Sequence, residues 1–529
     1  MSIFISRSKK KKPPTEPMQE QMAVPQKEVQ LLLHSSLAEN IQYIEETMGK
    51  SDDLIIRYCA IPISGQQDIP AAIIYIDGLT DQQMIQQGLI HPITQLTVVE
   101  HALNPHSLVD YLKSHVLMST NLGETDSFHD VFNQLLDGRS LLLLDGFPVA
   151  LTYNVTGGKT RNVAEPSSET VIRGPKEAFT ETMRTNTSMI RRRIRDPHLR
   201  CEELRVGKVT KTDITLMYIE GIVNESVLQE VRKRLGEIDI DGVLESGYIE
   251  ELIDDKGYSP FPRIYYTERP DVASANILEG RVAIITQGTP FVLIAPTLFI
   301  QFFHAAEDYY QRFDIASLIR LLRFLCFFIA LLAPSLYIAI TTFHQEMLPT
   351  QLLISLSAQR EGTPFPAFVE AVIMEIAFEI LREAGVRMPR AVGQTVSIVG
   401  ALVIGQAAVD AGIVSAAMVI IVSITAIANF VTPNYNLAIA VRILRFLFML
   451  LGATFGLYGI TIGLIAMVLH LTSLSSFGLP YMSPMAPLRK ADKKDAMIRF
   501  PWRRMIKRPS FIEKKNKIRQ KPPKSSSNK

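Results

Sequence analysis

Four glutamates recur in one short apolar stretch, residues 362–385, which reads GTPFPAFVEAVIMEIAFEILREAG. Glu375, Glu379 and Glu383 are four residues apart, so a helix places them on one face, with Glu370 ahead of them. Each ionised residue at mid-bilayer costs about 2.5–3.5 kcal/mol, so this face must meet water, a cavity or a partner. Two interpretations stay open: an acidic vestibule that concentrates cations, or an interfacial helix with a solvated face.

A second candidate group lies in the stretch 390–412, RAVGQTVSIVGALVIGQAAVDAG, which is rich in small and polar residues. Small residues allow helices to pack closely, and polar side chains can line a narrow wet path. An apolar waist in such a path can gate ions by losing its water. A pore-lining helix and an ordinary packed helix are both consistent with this pattern. The candidate pore or gate residues are Gln394, Ser397, Gly400, Val403, Ile404 and Gln406.

Glycines recur in the last long apolar stretch of the sequence. Two G-x-x-x-G pairs follow one another and fall on one ridge of a helix, which favours close helix–helix packing over a functional site. The four packing residues are Gly452, Gly456, Gly459 and Gly463.

A membrane domain over residues 291–487 is needed to position these groups. Long uncharged runs predict membrane spans. The apolar run that precedes the first span is too short to cross a bilayer and is apolar on one side only. We therefore expect an interfacial helix at 297–311 and an amphipathic or re-entrant helix at 364–384. The expected spans are about 318–343, 391–410, 411–432 and 440–471.

The chain ahead of the membrane domain alternates strand-like and helix-like runs, such as LIIRYCAI and ESVLQEVRKRLGEI. This pattern predicts two cytoplasmic α/β subdomains, at 29–165 and 166–290, followed by the polytopic helical membrane domain. Residues 1–28 hold four consecutive lysines and several prolines and glutamines, so we expect disorder there.

A basic C-terminal tail, 488–529, follows the membrane domain. From residue 485 onward the chain has 16 Lys/Arg against 3 Asp/Glu. Basic residues beside a span mark the cytoplasmic side, so four spans predict cytoplasmic N- and C-termini. Arg442 and Arg445 lie at the expected outer end of the last span and argue against this topology. The tail is expected to meet membrane lipid rather than nucleic acid, because it directly follows a span.

Catalytic and metal chemistry finds no support in the sequence. Cys59, Cys201 and Cys326 are far apart, and no histidine pair has the helical spacing of a zinc site. The run NVTGGKT has a tyrosine where a P-loop needs its first glycine. We therefore expect no enzyme activity, no cofactor and no metal.

Several spaced motifs resemble the A subunits of the bacterial spore germinant receptors, the GerA family. They include TNTSMIRRRIRD, YTERPDVASANILEGRVAI, EDYYQRF, PFPAFVEAVIMEIAFEILREAGVRMPRAVGQ and FGLPYMSPMAP, in this order, and the resemblance covers about residues 30–490. It implies an integral protein of the inner spore membrane or cell membrane that helps to sense nutrients. It also implies a permease-like B subunit and a lipoprotein C subunit as partners, and a homo-oligomer that conducts cations.

Three function classes remain open from the sequence. The receptor channel is favoured by the acidic helix and the small-residue span. A secondary carrier commonly shows internal repeats with paired broken helices, and no second broken element is evident here. A membrane scaffold without transport would use the same polar faces only to bind partners.

Overall fold

The computed structural model describes residues 31–62, 68–95, 105–113, 122–157, 165–255, 257–388, 405–489, 492–509 and 516–520. Within them, α/β sheets come first along the chain and helices follow, which confirms the predicted fold class at this level. The predicted disordered residues 1–28 lie outside the described residues, as do residues 391–404 of the predicted span 391–410.

The first α/β unit is built on a five-stranded antiparallel sheet with strand order β1-β2-β4-β5-β3. Its central strands are buried on both faces, so alternate residues meet different helices. Ile73 packs towards α2 and α4, whereas Ile74 packs towards α1 and α5. The elements are α1 Leu37–Met48, β1 Leu54–Ile61, β2 Ile69–Ile76, α2 Gln82–Ile85, α3 His91–Thr94, α4 Pro105–Tyr111, β3 Leu122–Thr125, α5 Phe128–Leu136, β4 Arg139–Leu144 and β5 Ala150–Asn154.

The second α/β unit repeats this plan with strand order β6-β7-β9-β10-β8. Leu216 on one face of the sheet packs with α7 and α8, and Met217 on the other packs with α6 and α9. The elements are α6 Met183–Arg193, β6 Leu199–Val206, β7 Thr212–Ile219, α7 Glu225–Gly236, α8 Ser246–Ile253, β8 Tyr265–Thr267, α9 Pro270–Leu278, β9 Val282–Thr286 and β10 Val292–Ala295.

The helical half follows the second sheet. By length and composition, two of its described segments, α11 and Tyr435–Ser473, could cross a membrane. The predicted span 411–432 begins too early, because residues 411–414 form a turn. The helix that follows, α14, starts at Ala416 and is about 22 Å long at 1.5 Å per residue. The helices are α10 Glu307–Tyr310, α11 Phe313–Phe343, α12 Thr350–Glu361, α13 Ala367–Arg387, α14 Ala416–Phe430 and the segment Tyr435–Ser473.

The last helical segment reverses direction at Gly456, which has φ 60° and ψ −144°. A methyl group at Gly452 would lie 3.5 Å from Ile460 Cδ1, and one at Gly463 would lie 2.8 Å from Leu451 Cδ1. In a straight helix residues 452 and 460 would be about 12 Å apart. The prediction of one span at 440–471 is therefore wrong: the segment is a helical hairpin with arms α15 (435–455) and α16 (457–473).

The glycines of this hairpin lie where its arms touch each other and α11. A methyl group at Gly459 would collide with the Leu451 carbonyl oxygen of the opposite arm. One at Gly452 would lie 2.8 Å from the Ser335 carbonyl oxygen of α11, and one at Gly456 would meet His344 at the end of α11. Only glycine permits this spacing, because any Cβ would overlap a backbone or ring atom.

The predicted interfacial helix at 297–311 is not formed as one helix. The chain has a 3-10 helix at Phe299–Phe303, then extended backbone at His304, then the short helix α10. Phe303 stacks on Phe324 of α11 with ring centroids 4.3 Å apart, and Phe302 is fully buried. These rings pack into the protein core because it offers aromatic partners, so the segment has no free apolar face to lay on a membrane.

Candidate functional site

The acidic helix α13 lies inside the helical bundle rather than on its surface. It begins after Pro366 and runs to Arg387, three residues beyond the predicted end. Glu370 and Glu375 have no exposed surface, whereas the side chains of Glu379 and Glu383 are 27% and 58% exposed. The buried pair cannot act as an open acidic face, so each carboxylate needs a partner within the protein.

Glu375 is paired with Arg445 of the hairpin arm α15. The Arg445 Nη1 donates to Glu375 Oε2 at 2.5 Å, and its Nε donates to the Ala330 carbonyl oxygen of α11 at 2.8 Å. That carbonyl is free because residue 334, four positions later, is a proline and has no N–H to offer it. One buried guanidinium therefore connects three helices.

Glu379 lies one turn further along α13 and meets the next arginine of the hairpin. Arg442 Nη1 donates to Glu379 Oε2 at 3.0 Å, and Arg382 of the same helix donates to that oxygen at 2.5 Å. Glu383 pairs with Arg387 at 2.7 Å, near the end of the helix. The pairs with Arg382 and Arg387 follow the helical spacing, whereas the pairs with the hairpin join distant parts of the chain.

Glu370 closes the other end of the helix. It accepts hydrogen bonds from the Ser415 backbone N–H at 3.0 Å and from Ser415 Oγ at 2.9 Å, at the start of α14. Arg360 Nε lies 3.6 Å from its other oxygen. Of the predicted vestibule residues Glu370, Glu375, Glu379 and Glu383, the first two are therefore buried and neutralised by arginines and a helix N-terminus, so they form no open acidic face. For Glu379 and Glu383, which are partly exposed, the vestibule stays a prediction.

The small-residue span is described only from residue 405 onward, where 405–410 is helical. Gln406 is exposed and donates to Asp410 Oδ1 at 3.0 Å, one turn further on the same face. The other candidate pore or gate residues lie outside the described residues: Gln394, Ser397, Gly400, Val403 and Ile404.

The arginines of the hairpin are the residues that sequence reasoning missed. Arg442 and Arg445 are three apart, Glu375 and Glu379 are four apart, and antiparallel helices bring such sets into register. Both arginines conflict with the expected four-span topology, and this conflict was the sequence signal for a buried partner. An arginine in an apolar stretch usually has such a partner.

Both ends of the hairpin contact the second α/β unit. Asn436 Nδ2 donates to Glu250 Oε1 of α8 at 3.4 Å, and His470 Nε2 lies 2.9 Å from Ser259 Oγ. Just past α16, the Phe477 backbone N–H donates to Asp255 Oδ2 at 3.1 Å. Burial, with Asp254 and Glu245 nearby, raises the pKa of Glu250 to about 7.

The C-terminal segment returns to the base of α11. Asp495 accepts from Arg320 Nη1 at 2.7 Å, while Arg320 Nε donates to Asp308 at 2.8 Å. His304 Nε2 lies 3.0 Å from the Ala496 carbonyl, and burial lowers the pKa of His304 far below its ordinary range, so the neutral ring donates this bond. Part of the predicted basic tail, 492–509, therefore packs on protein, whereas Lys493, Lys494, Arg503 and Arg504 stay exposed, so contact of the tail with lipid stays a prediction.

The described residues contain no group of three or more His, Cys, Asp or Glu side chains suited to a metal ion. What they do contain is a bundle whose interior charges are paired across helices, and a hairpin that joins the bundle to an α/β unit.

Comparison with known proteins identifies relatives over nearly the whole chain. Residues 42–511 match the family described as Bacillus/Clostridium GerA spore germination protein. The chain is 53% identical over 495 residues to spore germination protein KA of Bacillus subtilis (strain 168), covering 94% of this chain and 90% of that protein. It is 47% identical over 444 residues to the uncharacterized membrane protein YfkQ of the same organism, covering 84% and 86%.

Among solved structures, the N-terminal domain of the A subunit of the Bacillus megaterium spore germinant receptor GerK3 is 42% identical to the matched part of this chain. The match covers 51% of this chain and 98% of that domain, with a TM-score of 0.39.

Proposed function

The chain belongs to the GerA family of spore germination proteins, and from that premise we propose that it is a membrane-embedded receptor subunit which oligomerises into a nutrient-gated cation channel. Its place is the inner spore membrane or the cell membrane. A permease-like B subunit and a lipoprotein C subunit are its proposed partners.

The observation that carries membrane insertion is the reversed distribution of charge and apolar surface in α11. Arg320 and Arg323 are buried, yet large apolar side chains of the same helix are exposed. In water this arrangement would be costly, because exposing apolar surface to water raises the free energy, whereas in lipid it is the expected arrangement. The exposed large apolar side chains of α11 are Phe313, Ile315, Leu318, Leu321, Leu322, Leu325, Phe328 and Phe343.

The hairpin removes the conflict that Arg442 and Arg445 raised for the topology. With the chain reversing at Gly456, α15 starts on the side of the second α/β unit. Arg442 then lies nearer that side, and Arg445 lies at the middle of the arm, where it is paired with Glu375. We infer that α11, α13, the stretch 391–410, α14 and the two hairpin arms all cross the membrane. Six crossings return the chain to its starting side, which agrees with cytoplasmic N- and C-termini.

Cation conduction requires several copies around one path, because the charges inside a single bundle are already paired. The stretch 391–410 is the proposed lining, since it is rich in small and polar residues and its described end exposes Gln406 and Asp410. Val403 and Ile404 are the proposed apolar waist. A carrier is disfavoured by the lack of a repeated broken helix in the sequence.

The lining is tested by exchanging the waist residues in the full chain reconstituted into liposomes loaded with a potassium-sensitive dye. Val403→Ser or Ile404→Ser wets the waist, so basal potassium leak rises several-fold without nutrient. Ile424→Ser is the matched control, because Ile424 is 47% exposed on α14 and outside the proposed path. If neither waist variant changes leak while both assemble, the stretch is a packed helix and the lining is refuted.

A further inference from the structure

Arg445 lies where three helices meet in the interior of the bundle. Its side chain is 2% exposed, and Glu375 beside it has no exposed surface. From α15 it reaches Glu375 on α13 and the Ala330 carbonyl on α11 at the same time. A guanidinium suits this junction because its fork of donors has fixed directions, which sets both distance and angle between the helices.

The Ala330 carbonyl of α11 is available as an acceptor because of a proline in the sequence. Pro334 lies inside α11 and cannot donate to the Ala330 carbonyl, so that oxygen would be buried without a partner. Arg445 supplies the missing hydrogen bond. Pro334 and Arg445, 111 positions apart along the chain, thus act together. Helix stability does not explain this arrangement, because an alanine at 334 would donate its own N–H to the Ala330 carbonyl.

The hairpin that carries Arg445 is tied to the second α/β unit at both feet, through Glu250, Ser259 and Asp255. The helix that Arg445 holds, α13, leads directly into the stretch 391–410. A displacement of the α/β unit therefore reaches the hairpin first, then α13, and then the stretch that follows α13. Buried charge pairs between helices have discrete arrangements. A displacement of the α/β unit therefore moves the hairpin and α13 from one arrangement to another, instead of being taken up by small local shifts.

We propose that Arg445 is the positioning residue that couples the α/β unit to the conducting stretch, by fixing α13 against both the hairpin and α11. This inference rests on the proposed function for its conductance readout. It predicts that the position of α13, and not only the stability of the bundle, depends on the Glu375–Arg445 pair.

Single and double exchanges separate position from stability. Arg445→Met or Glu375→Gln alone leaves a buried group without its partner, so thermal stability falls. The double variant leaves no lone buried charge, so it recovers most of the lost Tm, yet α13 is no longer fixed to the hairpin. We expect the double variant to keep a several-fold raised cation leak despite its recovered Tm.

Pro334→Ala tests the same unit with every charge in place. The new N–H at 334 binds the Ala330 carbonyl and displaces Arg445 Nε, so leak rises while Tm is unchanged or higher. The matched control is Arg387→Met, because Arg387 is exposed and, among the described residues, its ion pair is with Glu383 of its own helix. That control leaves leak and Tm as in the unsubstituted protein.

Amide hydrogen exchange on the full chain in lipid nanodiscs gives a readout that does not need conduction. In the double variant, amides of 367–387 exchange faster while those of 457–473 keep their protection. Unchanged exchange in α13 overturns the inference, and so does wild-type leak in the double variant. If the unsubstituted protein carries no current at all, the proposed function fails, and the exchange of 367–387 still decides whether Arg445 positions α13.

Discussion

At the scale of single residues, the partners of the four glutamates decide their role more than their spacing does. Spacing on one helix face suggested a field acting on ions, whereas pairing with Arg445 and Arg442 makes Glu375 and Glu379 connectors between helices. A buried pair contributes little net stability, but removal of one member is strongly destabilising, by about 3–5 kcal/mol. Glu375 is therefore a sensitive position because its partner Arg445 is buried with it.

Glu250 gives the joint between the α/β unit and the hairpin a dependence on pH. Its folded pKa of about 7 lies above the ordinary value of 4.5, because burial and two nearby carboxylates disfavour its charge. The neutral form thus stabilises the folded protein at acidic pH, and this contribution is lost as pH rises through about 7. We expect the Tm of the full chain in detergent to fall as pH rises from about 4.5 to about 7 and to level off above it, and Glu250→Gln to flatten that slope.

Glu251→Gln is the control for this prediction, because Glu251 is the exposed neighbour on the same helix. Its pH slope matches that of the unsubstituted chain. Equal slopes in the Glu250 and Glu251 variants would show that the joint does not titrate in this range.

At the scale of elements, local patterns predicted the strands and helices of the α/β units, such as β1, β2 and α7, because period and turn residues are local signals. The hairpin was missed although its length was visible. A straight helix over 435–473 would be about 58 Å long, nearly twice the roughly 30 Å hydrocarbon core. The G-x-x-x-G pairs predict contacts to another helix, and Gly452 makes one with α11, whereas Gly456 makes the turn and Gly459 and Gly463 let the arms touch.

Cysteine labelling of sealed, right-side-out membrane vesicles tests the hairpin as an element. Tyr435→Cys and Ser473→Cys lie at the two feet, and Tyr458→Cys lies two residues past the turn with 70% of its surface exposed. A membrane-impermeant maleimide should label only Tyr458→Cys. The unsubstituted chain supplies the background, since Cys201 and Cys326 are buried. If one foot is labelled and the other is not, the segment crosses the membrane once, and the hairpin is contradicted.

At the scale of the whole molecule, the sequence predicted α/β structure followed by helices, and it could not predict how distant parts close on one another. The C-terminal segment shows why: Asp495 meets Arg320 across 175 positions, and no local pattern marks such a pair. The same holds for the pair of Glu375 with Arg445 and for the feet of the hairpin. Local periodicity fixes elements, whereas pairing between elements depends on the packing of the complete chain.

The central claim is that this chain conducts cations, and single-channel recording from the purified full chain in planar lipid bilayers tests it most directly. In a potassium chloride gradient we predict discrete current steps whose reversal potential lies close to the potassium equilibrium potential. Saturable flux without discrete steps would contradict the claim in favour of a carrier. An oligomer that inserts and stays silent, with or without the proposed partner subunits, would contradict it in favour of a scaffold.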